Sequence, residues 1–76
     1  MKRLNLIFWR IRNNLKQNEI AERLGITNAH YCNIEKAKSD PSHELLLKFK
    51  EEFKIADGEV FELFKKEEVK DSGETL

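Results

Sequence analysis

Between Gln17 and Glu35 two short amphipathic runs are separated by a glycine, an apolar residue and a threonine, and this spacing leaves the chain few ways to fold. Ile20, Ala21 and Leu24 recur at i, i+1 and i+4, which puts them on one side of a helix over about 17–24. Glu19 and Glu22 lie towards its start, where the helix dipole favours acids, and Gly25 stops it. Thr27 then serves as N-cap of a further helix over about 28–36, with Tyr31 and Ile34 facing inward. Helices of about two turns are unstable alone, so the two must fold against each other. Gly25 permits the tight turn, Ala21 is small enough for close approach, and Ile20, Leu24, Ile26, Tyr31 and Ile34 supply the shared apolar side. Asn28, Ala29, Cys32, Asn33 and Lys36 are left together on the outer face of the second helix.

The flanking sequence adds three more helices. Dense apolar residues over about 4–13 form the first, ending at Asn13-Asn14, where Asn tolerates the left-handed conformation; Leu15 then enters the core. After a connector at 37–41, Asp40 or Ser42 caps a fourth helix that runs to about 53 through Leu46, Phe49 and Phe53. Asp57 caps a fifth over about 58–67 with Val60, Phe61, Leu63 and Phe64. The expected fold is an all-α, five-helix domain over residues 1–67, followed by a polar, frayed tail over 68–76. Leu4, Leu6, Ile7, Phe8, Trp9 and Ile11 crowd the first helix with more apolar side chains than one buried stripe accommodates. Either the fifth helix covers the surplus with Phe61 and Phe64, or part of it is a surface for a partner.

Size and composition exclude several functions. Seventy-six residues build one modest core without room for a deep cofactor cavity, which disfavours an enzyme. One cysteine makes no internal disulfide, and one Cys with two His cannot supply a Cys₄ or Cys₂His₂ zinc site. His30 and Cys32 point to different faces of their helix, so no Cys/His catalytic site assembles there. No catalytic residue, metal or cofactor is expected, and a reducing, cytoplasmic setting fits the lone thiol. Lys2-Arg3 and the apolar run after it resemble a signal peptide, but Asn5 interrupts the run and Arg10 ends it too early. No segment approaches the length of a membrane span. The formal net charge of zero conceals an asymmetry: residues 1–38 carry +5 and residues 39–76 carry −5. A chain so divided presents a basic face to a polyanion while its acidic half points away.

Together these features resemble the DNA-binding domain of Cro and the lambda-type phage repressors, shared with many small bacterial regulators. The resemblance runs from about Leu6 to Phe64. It rests on Arg10, Leu15, the run Gln17 to Thr27, Ile34-Glu35, and Pro41-Ser42 followed by Leu46, Leu47 and Phe49. It implies a helix-turn-helix domain that binds double-stranded operator DNA, usually as a homodimer, with the helix at about 28–36 in the major groove. Gln17 matches the family's glutamine that touches a phosphate and braces the recognition helix. Thr27, Asn28, Ala29, Asn33 and Lys36 fall on positions that face bases or backbone. Asn suits bidentate pairing with adenine and Ala29 suits a thymine methyl, while Gln17, Lys36 and Lys38 suit phosphates. Arg10 and Glu35 match the family's buried ion pair between the first helix and the end of the third. Three positions depart from the pattern. Ala37 stands where glycine is usual, predicting a less sharply left-handed turn; His43 stands at a commonly apolar position; and Tyr31 replaces the usual Ile or Val.

The reading is of a stand-alone transcriptional regulator of the repressor type, dimerising through a small surface on the fifth helix and part of the first, with Trp9, Phe61 and Phe64 as aromatic anchors. Its rival from another class is a protein-interaction module, such as a toxin-neutralising antitoxin, in which the same apolar surface acts first and DNA binding is secondary.

Overall fold

The computed structural model describes residues 1–68, and among them five helices follow one another: α1 (Leu4–Arg12), α2 (Gln17–Leu24), α3 (Asn28–Glu35), α4 (His43–Phe53) and α5 (Asp57–Leu63). Their boundaries follow from local chemistry. α1 stops where Asn14 enters the left-handed region at φ 58°. α2 starts where the Lys16 backbone N–H donates to Glu19 Oε1 at 2.7 Å, and ends at Gly25 with φ 73°. Thr27 Oγ1 accepts from the His30 N–H at 3.0 Å to open α3, and Ser42 Oγ accepts from the Leu45 N–H at 3.1 Å to open α4. Of the two expected caps for α4, Ser42 is therefore the one used. α4 closes on Lys54, left-handed at φ 54°.

α2 and α3 pack most closely on each other, α1 lies against α3 and α5, and α4 closes the bundle over α2 and α5. Leu6, Ile20, Ile34 and Phe49 are fully enclosed, with Ala21, Leu24, Tyr31, Ile55, Val60 and Leu63 completing the core. An aromatic cluster fills the space between α1, α4 and the end of α5. Phe49 lies 5.3 Å from Trp9, 5.0 Å from Phe53 and 5.0 Å from Phe64, and the Arg23 guanidinium covers the Phe53 ring at 5.1 Å.

Four expectations change. α5 begins at Asp57 rather than after it: Ala56 is the N-cap, and Asp57 forms an ion pair with Lys50. α5 also ends at Leu63 instead of 67. Lys65 to Glu67 are good helix formers, but Phe64 is the last apolar side chain they offer the core, and the backbone finds other partners. The Phe64 carbonyl accepts from Arg3 Nε at 3.0 Å, and Glu67 exchanges both backbone hydrogen bonds with Lys2 at 2.9 and 2.8 Å. Ala37 is fully left-handed at φ 60°, so the turn after α3 keeps its hand without glycine. Trp9 and Phe64 are half-buried in the aromatic cluster instead of standing exposed; of the three expected anchors only Phe61, 79% exposed, projects into solvent. The tail expected over 68–76 lies, except for Glu68, outside the described residues.

Candidate nucleic-acid interface

α3 turns one face to the core and the other to solvent. Tyr31 and Ile34 are 1% exposed, whereas Asn28, Ala29, His30, Asn33 and Lys36 are exposed and Cys32 is half-buried. This split follows from the helical period, since the inward residues sit three apart and the outward ones fill the remaining arc. Asn28, Ala29 and Asn33 thus share an open surface at the start and middle of α3, with Thr27 held just before it as the cap. Lys36 and Lys38 follow at its end, exposed and without an ion pair among the described residues.

A chain of hydrogen bonds fixes this helix from behind. Cys32 Sγ donates to Gln17 Oε1 at 3.2 Å, and Gln17 Nε2 donates to Glu35 Oε1 at 2.9 Å. Glu35 in turn accepts from Arg10 Nε at 2.6 Å and from Arg10 Nη2 at 3.4 Å, while Arg10 Nη1 reaches the Leu15 carbonyl at 3.2 Å. The start of α2, two turns of α3 and the end of α1 are joined through one buried carboxylate. Glu35 is 4% exposed and Arg10 15%, and the carboxylate beside it holds the guanidinium above its ordinary pKa. The Tyr31 hydroxyl lies near this pair, enclosed and, among the described residues, without a hydrogen-bond partner that meets the geometry of a bond. Burial first, and then the Glu35 charge, push its pKa up, so the phenol stays neutral and has no route to the outer face.

Two features of the region escaped the sequence reading. Arg3, counted there as surface charge, is 3% exposed and gathers four acceptors. Nη1 donates to the Ile34 carbonyl at 2.8 Å and to that of Ser39 at 3.1 Å, Nη2 to Asp40 Oδ1 at 2.7 Å, and Nε to Phe64. Arg3, and after it Lys66, hold the Asp40 carboxyl below the usual carboxylate range. The connector that carries Lys38 is thereby tied to the N-terminal segment and to the end of α5. The only sequence signal was the position of Arg3 one residue before a helix, which is too common to read. The second feature is a shallow cleft that His30, exposed on the flank of α3, shares with Ser42 just before α4 and with Glu44 and Lys48 of α4. Lys48 Nζ sits over Gly25, 3.2 Å from where a Cβ would be.

The positive surface is smaller than the half-chain count, because Arg3 and Arg10 face inward and Arg23 is shared with Glu52 at 3.8 Å and with Phe53. Among the described residues no cluster of His, Cys, Asp and Glu is arranged to hold a metal ion, and no helix is long and apolar enough to cross a membrane. In comparisons with known proteins, the helix-turn-helix family matches this chain over residues 6–57, a span that runs from within α1 through α4 to the first residue of α5. No curated protein and no solved structure gives a significant match.

Proposed function

The chain belongs to the helix-turn-helix family of the Cro and lambda-repressor type, a family of DNA-binding regulators, and from that membership we propose that it is a sequence-specific transcriptional repressor of the cytoplasm. α3 enters the major groove of its operator. Asn28 and Asn33 read base edges, Ala29 packs against a thymine methyl, and Thr27, Gln17, Lys36 and Lys38 hold the sugar-phosphate backbone. The observation that carries this reading is the open face of α3, with Asn28 and Ala29 in its first turn, Asn33 further along, and at its end two lysines that form no ion pair among the described residues. Asn is a poor helix former, and the side chains of the two on this solvated face of an eight-residue helix make no hydrogen bond among the described residues. Gln17 acts here mainly as a brace, since its carboxamide already serves Glu35 and Cys32.

The protein works as a homodimer, because a helix of about two turns touches too few base pairs to select a site alone. Phe61 supports this. It stands at the edge of a groove of about 630 Å³ between α4 and α5, beside Leu46, Leu47 and Val60, and forms the centre of an apolar contact for a second copy.

Selection of bound sequences from random duplexes tests the proposal. Asn28→Ala should cost about 1–3 kcal/mol on the selected site and relax preference at one base pair, whereas Lys38→Ala should weaken every sequence alike and shallow the salt slope by about one. Equal loss of specificity from both substitutions would contradict the assignment, and absence of an enriched sequence would contradict the function.

A further inference from the structure

Arg3 grips both ends of the turn that follows α3. On the α3 side its backbone N–H donates to the Glu35 carbonyl at 2.9 Å and its Nη1 to the Ile34 carbonyl at 2.8 Å. On the far side Nη1 also donates to the Ser39 carbonyl at 3.1 Å, and Nη2 to Asp40 Oδ1 at 2.7 Å. Residues 36–38 stand out between these two grips, with Lys36 and Lys38 exposed and Ala37 left-handed at φ 60°. The turn's own hydrogen bonds run back into α3: the Ala37 N–H donates to the Ile34 carbonyl at 3.0 Å, and the Lys38 and Ser39 N–H groups share the Asn33 carbonyl at 2.9 and 3.2 Å. Apart from Arg3, the polar contact that reaches this turn from elsewhere among the described residues is Lys66 Nζ, 3.0 Å from the same Asp40 oxygen. A guanidinium buried to 3% exposure beneath two solvated lysines shapes the turn rather than adding to its outward charge.

We propose that Arg3 is a positioning residue for DNA binding: it clamps the turn after α3 in the shape that presents Lys36 and Lys38 to the phosphates beside the recognition helix. The proposal rests on the reading of those lysines as phosphate contacts. Lys is a point charge on a flexible stem, so how well it holds a phosphate depends on how well its backbone is held. A turn left loose in the free protein must be ordered as DNA binds, and that loss of entropy weakens the complex. Ala37 sharpens the dependence, because an L-residue leaves the left-handed region readily once nothing outside the turn opposes it. Arg3 itself lies in the interior and acts through the turn. Phosphate contacts set affinity and register without reading sequence, so loss of the clamp weakens binding and leaves base preference intact.

Amide exchange and DNA titration of the full chain test the clamp in turn. Without DNA, Arg3→Met should speed exchange of the Lys38 and Ser39 amides by about tenfold or more beyond the change shared with the slowest amides of α2, because local opening is added to any loss of global stability. Equal acceleration everywhere overturns the proposal. On the duplex that the wild-type protein selects, with affinity counted per folded molecule, Arg3→Met should bind about fivefold or more weaker, with a salt slope shallower by about one and an unchanged base preference. In that background Lys38→Ala should weaken binding by less than about twofold further, because both substitutions remove the same contact. Additive losses, or a folded fraction that binds with wild-type affinity and slope, show a stabilising role alone and overturn the proposal. Arg3→Lys keeps the charge without the planar fork and should bind as poorly as Arg3→Met, so recovery by Lys overturns it too. If the Arg3 variants fail to fold, Asp40→Ala, at a carboxylate 67% exposed, takes their place in the same cycle. Removing an acid near phosphates strengthens binding through charge alone, whereas losing a clamp point weakens it; tighter binding by Asp40→Ala overturns the proposal. A wild-type protein that selects no duplex overturns the DNA-binding reading and this proposal with it, whereas normal selection with an uncoupled cycle overturns this proposal alone.

Discussion

Arg3 and Glu35 are, among the described residues, the two charged side chains that the fold takes inside, and they stabilise it in different ways. Arg3 links elements far apart in sequence: its guanidinium joins the last turn of α3, the connector at Ser39 and Asp40, and the end of α5, with Lys66 adding a second tie to Asp40. A methionine of similar length keeps the packing and removes every donor, so Arg3→Met should lower the unfolding free energy by about 2–4 kcal/mol, the cost of leaving those carbonyls short of partners. Lys should rescue little, because one ammonium cannot span acceptors laid out for a planar fork. Denaturant unfolding measures both, and an unchanged midpoint for Arg3→Met would show that the staple contributes nothing. Glu35 differs because its partners are themselves largely enclosed. Glu35→Ala strands the Arg10 charge and the Gln17 amide, and should cost about 3–5 kcal/mol. Replacing Arg10 and Glu35 together with apolar residues should cost markedly less than Glu35→Ala alone, since no buried charge is then left unpaired. A melt within a degree or two of wild type for Glu35→Ala would place the pair outside the stabilising core.

At the scale of elements, the turns decide how the helices meet, and three of them use left-handed residues other than glycine: Asn14, Ala37 and Lys54. Ala37 is the informative one. An L-residue there carries about 1–2 kcal/mol of steric cost, of which glycine would return part to the greater freedom of its unfolded chain. Ala37→Gly should therefore stabilise the protein by about 0.5–1 kcal/mol, seen as a raised thermal midpoint; a destabilised variant would mean that the Ala37 methyl contributes packing that outweighs the strain. The same turn shows why sequence reading stopped where it did. α2, α3 and α4 were legible because each is written in side chains that report locally: an apolar period, a Thr or Ser cap, a glycine stop. The outer face of α3 was legible for the same reason, as the arc its buried residues leave free. The end of α5 was not, because residues 65–67 favour helix by composition and are drawn into an extended path by Lys2 and Arg3, more than sixty positions away. Arg3 itself was illegible on the same ground, and so were Trp9 and Phe64, whose burial depends on how α1, α4 and α5 converge around Phe49.

For the whole molecule the deciding quantity is where uncompensated charge remains. Arg3 and Arg10 are neutralised internally, and several second-half acids are engaged in turn: Asp40 with Arg3 and Lys66, Glu52 with Arg23, and Asp57 with Lys50. Among the described residues Lys36 and Lys38 form no ion pair, and they lie at the end of α3, next to the face that carries Asn28 and Asn33. A single copy thus offers few phosphate contacts and a short reading surface, which gives little affinity and less selectivity. Two copies related by a dyad double both, and the formal net charge of zero opposes their approach only weakly. In the proposed dimer, with α3 docked in the manner of the helix-turn-helix class, the two recognition helices lie about 34–36 Å apart, one turn of B-DNA. The selected operator should therefore be a pseudo-palindrome whose half-site centres are about 10 bp apart on one face of the duplex, and footprinting should show both halves protected at the same protein concentration. Inserting about 5 bp between the halves turns one to the opposite face and should abolish joint protection, whereas inserting a full turn should restore only independent half-site occupancy. Affinity should fall steeply with salt for the intact operator and less steeply for one half-site, because fewer counterions are released. Protection confined to one half-site, or tight binding undiminished when the other half is scrambled, would show that one copy of α3 suffices and that the dyad has no part in recognition.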